Sequence, residues 1–199
     1  MSSDLNENNA EKLLKAILEL NALIIIGLSV LEKNVRQTMT EVFEVAWGPK
    51  WLNHVLGQQD ISLFKAEAFL INKRHSSQFV LTEKGFVEGA SLGFWVELLN
   101  RETYKQLKGI PIHAFKYRPP TIKRSNLYQS FKEVKDFRNQ LVHNRIQIGS
   151  SKRQTVRFIG MLQKAGKDTR TLISYVNPDA LKLLPEDVDI KIAALEKLL

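Results

Sequence analysis

The sequence predicts an all-α fold: one helical-bundle domain of long antiparallel helices. Three observations carry this expectation. Apolar residues recur at spacings of three and four over long stretches, no strand-rich alternation or internal repeat appears, and Gly/Pro punctuation falls between the periodic stretches. The domain is expected to span residues 1–199, with a core over about 10–150 and a small C-terminal extension, 151–199, packing on it.

The first element is a helix over 9–46, where Leu13, Leu14, Ile17, Leu18, Leu20, Ile24, Leu28, Leu31, Val35, Met39 and Phe43 keep a helical period. Gly27 is a place for a kink or a close approach. WGPKWL ends the helix at Gly48-Pro49. A short amphipathic helix follows at 61–73, then the polar connector KRHSSQ, then a helix over 83–107 carrying Phe86, Val87, Leu92, Phe94, Trp95, Leu98 and Leu99. GIPIHAFKYRPP, 109–120, holds three prolines and reads as a loop. The next helix starts at Ser125 as N-cap and runs to Arg145 or Ile148, before Gly149. Beyond it QTVRFIGMLQKAGK reads as a short helix, TLISYV as an extended piece and 186–199 as a terminal helix.

Composition excludes several classes. At 199 residues with 44% hydrophobic content the chain supports one well-packed core and shows no disorder signature. It has no cysteine, which removes disulfides and Cys-based metal or redox sites. MSSDLNENNAEK lacks the basic start and apolar core of a secretory signal, and ALIIIGLSVL at 22–31 is about half of a membrane span. The expectation is a cytoplasmic protein with no membrane partner, and that run is expected to be buried core. No HExxH, GxxxxGK[ST], GxGxxG or GxSxG motif occurs, and the four histidines show no metal-ligand spacing. No metal and no cofactor are expected.

The net charge of +8 is concentrated: residues 101–145 hold eleven basic side chains against three acidic ones. Such a segment suits a polyanion, because each phosphate neutralised releases counterions. A basic, well-solvated surface has the same composition.

Within that segment FRNQLVHNRI, 137–146, places charge where helical spacing wants apolar side chains. On a helical wheel Arg138 falls among Phe131, Val134, Leu141 and Val142, with Arg145 nearly beneath it. A guanidinium there must meet a carboxylate, for which Glu32 is the candidate although it is also spaced to pair with Arg36, or else a solvated crevice. His143 falls beside Asn139, four residues earlier. A hydrogen-bonded structural histidine has the same pattern.

RNQLVH at 138–143 resembles the R-polar-x3-H signature of HEPN domains. LSVLEKNVRQTMTEVFEVAWGPKWL at 28–52 and GASLGFWVELL at 89–99 resemble, in the same order, segments of the Abi-like, abortive-infection branch. The resemblance covers about 10–150. It implies a HEPN-type helical bundle that is a metal-independent endoribonuclease, with two subunits lining one cleft with their motif helices. The chemistry agrees with the residues. RNA carries its own nucleophile, so a proton shuttle and a cation suffice. His143 suits acid or base work near neutral pH, Arg138 suits charge on the non-bridging oxygens, and Asn139 suits orienting the histidine or the phosphate. Arg145, Asn144, Lys135, Arg124 and Lys123 are the candidates to hold RNA backbone. The ends would be a 2′,3′-cyclic phosphate and a 5′-hydroxyl.

Arg145 stands where toxin branches that pair with a nucleotidyltransferase carry a tyrosine, so regulation through that tyrosine is not expected here. Phe94, Trp95, Trp47 and Trp51 are expected to pack rather than stack on bases. The implied setting is phage defence or a toxin restrained by a protein or RNA antitoxin, with RNA as substrate or regulator and a homodimer as the assembly. Two other readings fit the residues: a HEPN protein that binds RNA without cutting it, and a structural helical adaptor.

Overall fold

The computed structural model describes residues 7–75, 79–142 and 152–185, together with position 193. Every regular element among them is helical. Helix α1, Glu7–Trp47, is the long axis of the bundle. Its inner face is the predicted period: Leu13, Ile17, Leu20, Ile24, Leu28 and Leu31 are all buried. It stops at Gly48, whose φ of 80° is left-handed and whose N–H donates to the Glu44 carbonyl at 2.8 Å. The chain resumes as α2, Trp51–Gly57, a short helix that begins within WGPKWL and fills a stretch to which the sequence pattern assigns no element. Helix α3 is Ser62–Arg74.

The single helix expected over 83–107 is three: α4, Glu83–Gly89; α5, Leu92–Glu97; and α6, Arg101–Gln106. Side chains inside an apparently continuous period act as fresh N-caps. Ser91 Oγ accepts from Phe94 N–H at 3.1 Å, and Asn100 Oδ1 accepts from Glu102 N–H at 3.1 Å. The first corner is held from outside as well, since the buried Glu67 carboxylate of α3 accepts from Ser91 N–H at 2.7 Å.

The proline-rich stretch enters a 3₁₀ turn, Ile110–Ala114, through Lys108 and Gly109, with φ of 52° and 80°. Helix α7 is Arg124–Val142. Ser125 lies inside its first turn and is not the cap. Asn126 instead reaches back and accepts from Lys123 N–H at 3.0 Å, one half of a capping box.

Helix α8, Lys152–Val176, is one helix of 25 residues. The expected short helix and the extended TLISYV are parts of it. Phe158, Ile159, Leu162, Ala165, Leu172, Ile173 and Val176 keep helical spacing and join the same core as α1. Helix α8 is thus one of the main walls of that core. A 3₁₀ turn, Pro178–Leu183, follows. The terminal helix expected over 186–199 lies outside the described residues apart from Ala193, which is helical and exposed.

Helices α1 and α8 run parallel, in register from Gly27 beside Thr169 to Asn177 Nδ2 donating to Asn34 Oδ1 at 2.8 Å. Helix α7 runs antiparallel to α8. Gly27 causes no break in α1; an added Cβ there would lie 3.6 Å from Thr169 Cγ2.

One aromatic cluster joins the first five helices. Phe64 of α3 meets Phe43 of α1 at 5.9 Å, Trp51 of α2 at 6.2 Å, Phe86 of α4 at 5.8 Å and Phe94 of α5 at 4.9 Å between ring centres. Trp95 is buried and Trp47 stacks on Phe43, so these aromatics pack.

The outer face of α1 departs from expectation. Leu14, Leu18, Ile25 and Ile26 are 45%, 57%, 42% and 46% exposed. The ten-residue run is therefore only partly core. Its 18-residue apolar window has mean hydropathy 2.0, enough by length and composition to cross a membrane, and 33% of the window is buried.

Phe64→Ala should cost about 3–5 kcal/mol, because five helices meet on that ring. Urea unfolding followed by circular dichroism will show the midpoint fall with an unchanged slope.

Candidate functional site

The site has to be built on α7. Its buried stripe is Leu127, Phe131, Val134, Phe137 and Leu141. Projected on the helix, these lie mostly to one side of Arg138. Arg138 is thus on the shoulder of the stripe, half-buried, and not at its middle. Phe137 shifts the balance, because it turns the buried face away from the arginine.

The carboxylate alternative for Arg138 is not realised among the described residues. Glu32 is bound to Arg36 on its own helix. Arg36 also donates to the carbonyls of Val87 at 2.9 Å and Glu88 at 2.6 Å, clamping α4 onto α1. Arg138 donates instead to the neutral Asn139 Oδ1 at 3.3 Å and forms no ion pair among the described residues. A guanidinium that is partly dehydrated and unneutralised keeps its remaining donors for another anion.

Of the other predicted residues, His143, Asn144 and Arg145 lie outside the described residues; they follow directly on Val142. Lys135 is half-buried one turn before Arg138, 3.7 Å from Asp136, with its stem beside Gly93 of α5. Gly93 lacks the side chain that would crowd it. Lys123 is exposed. Arg124 is tied to the protein: it donates to the Leu99 carbonyl and lies 5.8 Å from the Tyr104 ring centre. The structure therefore brings Lys135, Arg138 and Asn139 together on one stretch of α7 and sets Lys123 and Arg124 at its far end.

The opposite side of α7 is pinned to α8. Lys164 donates to Glu133 at 2.5 Å and to Asp168 at 2.7 Å. Hydrogen bonding by Lys164 and then Gln129 lowers the Glu133 carboxyl below its ordinary value. The bonds to Asp168 and then Glu133 raise Lys164 above its ordinary value. This pin holds above the ordinary carboxylate range, loosening as pH falls through the lowered Glu133 value, and below the ordinary lysine range, loosening as pH rises through the raised Lys164 value. Because these side chains are exposed, its effect on stability is small.

No group of three or more His, Asp or Glu side chains able to share a metal ion occurs among the described residues. A groove of about 640 Å³ lies elsewhere: it runs along α1 between Ser29 and Glu44 and is walled by Val87 and Glu88 of α4. Sequence reasoning missed it, although the Glu32 and Arg36 spacing marked its floor. Comparison with protein-family models, curated proteins and solved structures gives no match.

The two arginines should separate cleanly. Arg36→Ala leaves Glu32 and two carbonyls without their donor and should cost on the order of 1–3 kcal/mol. Arg138→Ala should cost no more than about 1 kcal/mol, from the loss of its packed stem. Thermal unfolding of both variants checks this, and a larger loss for Arg138→Ala would restore the buried ion pair.

Proposed function

We propose that this protein is a metal-independent endoribonuclease of the HEPN type, an Abi-like protein of the cytoplasm acting in phage defence or as a toxin. The observation that supports it best is the Arg138 guanidinium: half-buried, bonded to neutral Asn139 and without a carboxylate among the described residues, in the segment that carries the chain's excess positive charge.

In this reading the 2′-hydroxyl of RNA attacks the adjacent phosphorus. The P–O2′ bond forms and the P–O5′ bond breaks, giving a 2′,3′-cyclic phosphate and a 5′-hydroxyl. One imidazole takes the 2′-proton and an acid returns a proton to the 5′-oxygen; His143 fills one role and its copy in a second subunit the other. Arg138 neutralises charge that grows on the non-bridging oxygens, where its planar fork matches phosphate geometry. Asn139 holds the arginine. Lys135, Lys123, Asn144 and Arg145 hold the RNA backbone, while Arg124 contributes what its fork has left beyond Leu99. An antitoxin, protein or RNA, restrains the activity.

Purified protein incubated with labelled RNA in EDTA should cleave it to cyclic-phosphate ends, with at least about a hundredfold loss in His143→Ala and in Arg138→Ala. Products with 5′-phosphates would contradict the chemistry. RNA binding without cleavage in any form would leave the RNA-binding reading, and neither binding nor cleavage would leave the adaptor.

A further inference from the structure

The outer face of α1 carries a second pattern that the core does not use. Starting at Glu11, surface positions recur at alternating steps of four and three: Lys15, Leu18, Ala22, Ile25, Ser29, and then Glu32 and Arg36. The first six are exposed and the last two half-buried. This is a heptad seam of about 38 Å, on the side of the helix away from Ile17, Leu20 and Ile24. Its centre is apolar or small and its two ends are charged. A patch holding Leu18 and Ile25, flanked by exposed Leu14 and Ile26, is larger than a lone surface hydrophobe and asks for a cover.

The order of the charges says what the cover is. If a second α1 is laid antiparallel about a two-fold axis between Ala22 and Ile25, each seam position meets another from the same seam. Ala22 meets Ile25, and Leu18 meets Ser29. Lys15 then meets Glu32, and Glu11 meets Arg36, so both ends place opposite charges together and the Glu32–Arg36 pair of each chain is extended into a four-residue network. In the parallel arrangement each residue would face its own copy: Glu11 on Glu11, Lys15 on Lys15, Glu32 on Glu32 and Arg36 on Arg36, four like-charge contacts. Glu11 and Lys15 have no ion-pair partner among the described residues. The groove between Ser29 and Glu44 lies where the N-terminal end of the second helix would rest. Ala22 and Ser29 are small enough for the two backbones to approach closely.

We infer that α1 is a self-complementary docking surface, and that two copies of this chain pair antiparallel along it, in the register that sets Ala22 against Ile25 and Lys15 against Glu32. Such an interface is isologous, each pair occurring twice. It goes beyond the two-fold assembly used above by assigning its surface, and it stands on the helix alone: a dimer that cuts no RNA would keep the seam and lose the nuclease, and RNA cleavage by a dimer unaffected by Leu18→Glu would do the reverse.

Sedimentation equilibrium of the full chain should give twice the 22.8 kDa monomer mass. Leu18→Glu should give monomers with an unchanged helical spectrum, because that side chain takes no part in the core. Lys15→Glu should weaken association about tenfold or more, since each dimer loses two contacts and gains two repulsions. The register has its own readout, as the chain has no cysteine of its own. Mixing Ala22→Cys with Ile25→Cys protein under oxidation should give the mixed disulfide in preference to the Ala22→Cys homodimer. Preference for that homodimer overturns the antiparallel register. A wild-type chain that stays monomeric, or that floats as a monomer with phosphatidylcholine vesicles, overturns the proposal.

Discussion

The structure depends on the burial of one face of a single helix. A 41-residue helix has no reason to persist in water unless tertiary contacts hold it. Here α8 lies along it in parallel register, the Phe64 cluster gathers α2 to α5 against its C-terminal half, and α7 closes the remaining side. Everything else is positioned relative to that face. Arg36 fixes α4 to α1 through two backbone carbonyls, and Glu67 fixes the corner between α4 and α5 through Ser91. Polar side chains here serve to hold chain ends that the apolar core cannot reach.

That division of labour bears on the site. Glu32 is the carboxylate that could have neutralised Arg138, and it is committed to Arg36. Among the described residues the second guanidinium has no carboxylate partner and donates to the amide of Asn139. On the far side of α7 the acidic groups are likewise taken, Glu133 and Asp168 by Lys164. The proposed chemistry draws on this asymmetry: among the described residues these carboxylates are held by structural cations, while Arg138 has none.

The long helices were legible in the sequence because period is a strong signal when it persists over many turns. Helices α1, α3 and α7 follow it closely. The segment 83–107 misled because its apolar spacing survives two helix breaks, and only Ser91 and Asn100 betray them as caps. TLISYV misled in the other direction: its β-branched residues suggest extension, while packing on α1 keeps them helical. Leu14 and Leu18 share a period with the core yet stand outside it, since two apolar stripes on one helix cannot be told apart by spacing of three and four alone. For the site, the sequence indicated the unusual arginine but not which acid it would lack. The commitment of Glu32 to Arg36 goes with a contact that Arg36 makes across 51 residues, to the Val87 carbonyl.

The central claim is that the sugar of the substrate supplies the nucleophile and α7 supplies the charge. The most direct measurement replaces one 2′-hydroxyl by hydrogen at a mapped cleavage position and follows that bond in EDTA. The account predicts that cleavage there disappears while neighbouring ribose positions remain susceptible. Cleavage at an undiminished rate through the deoxy position would contradict it.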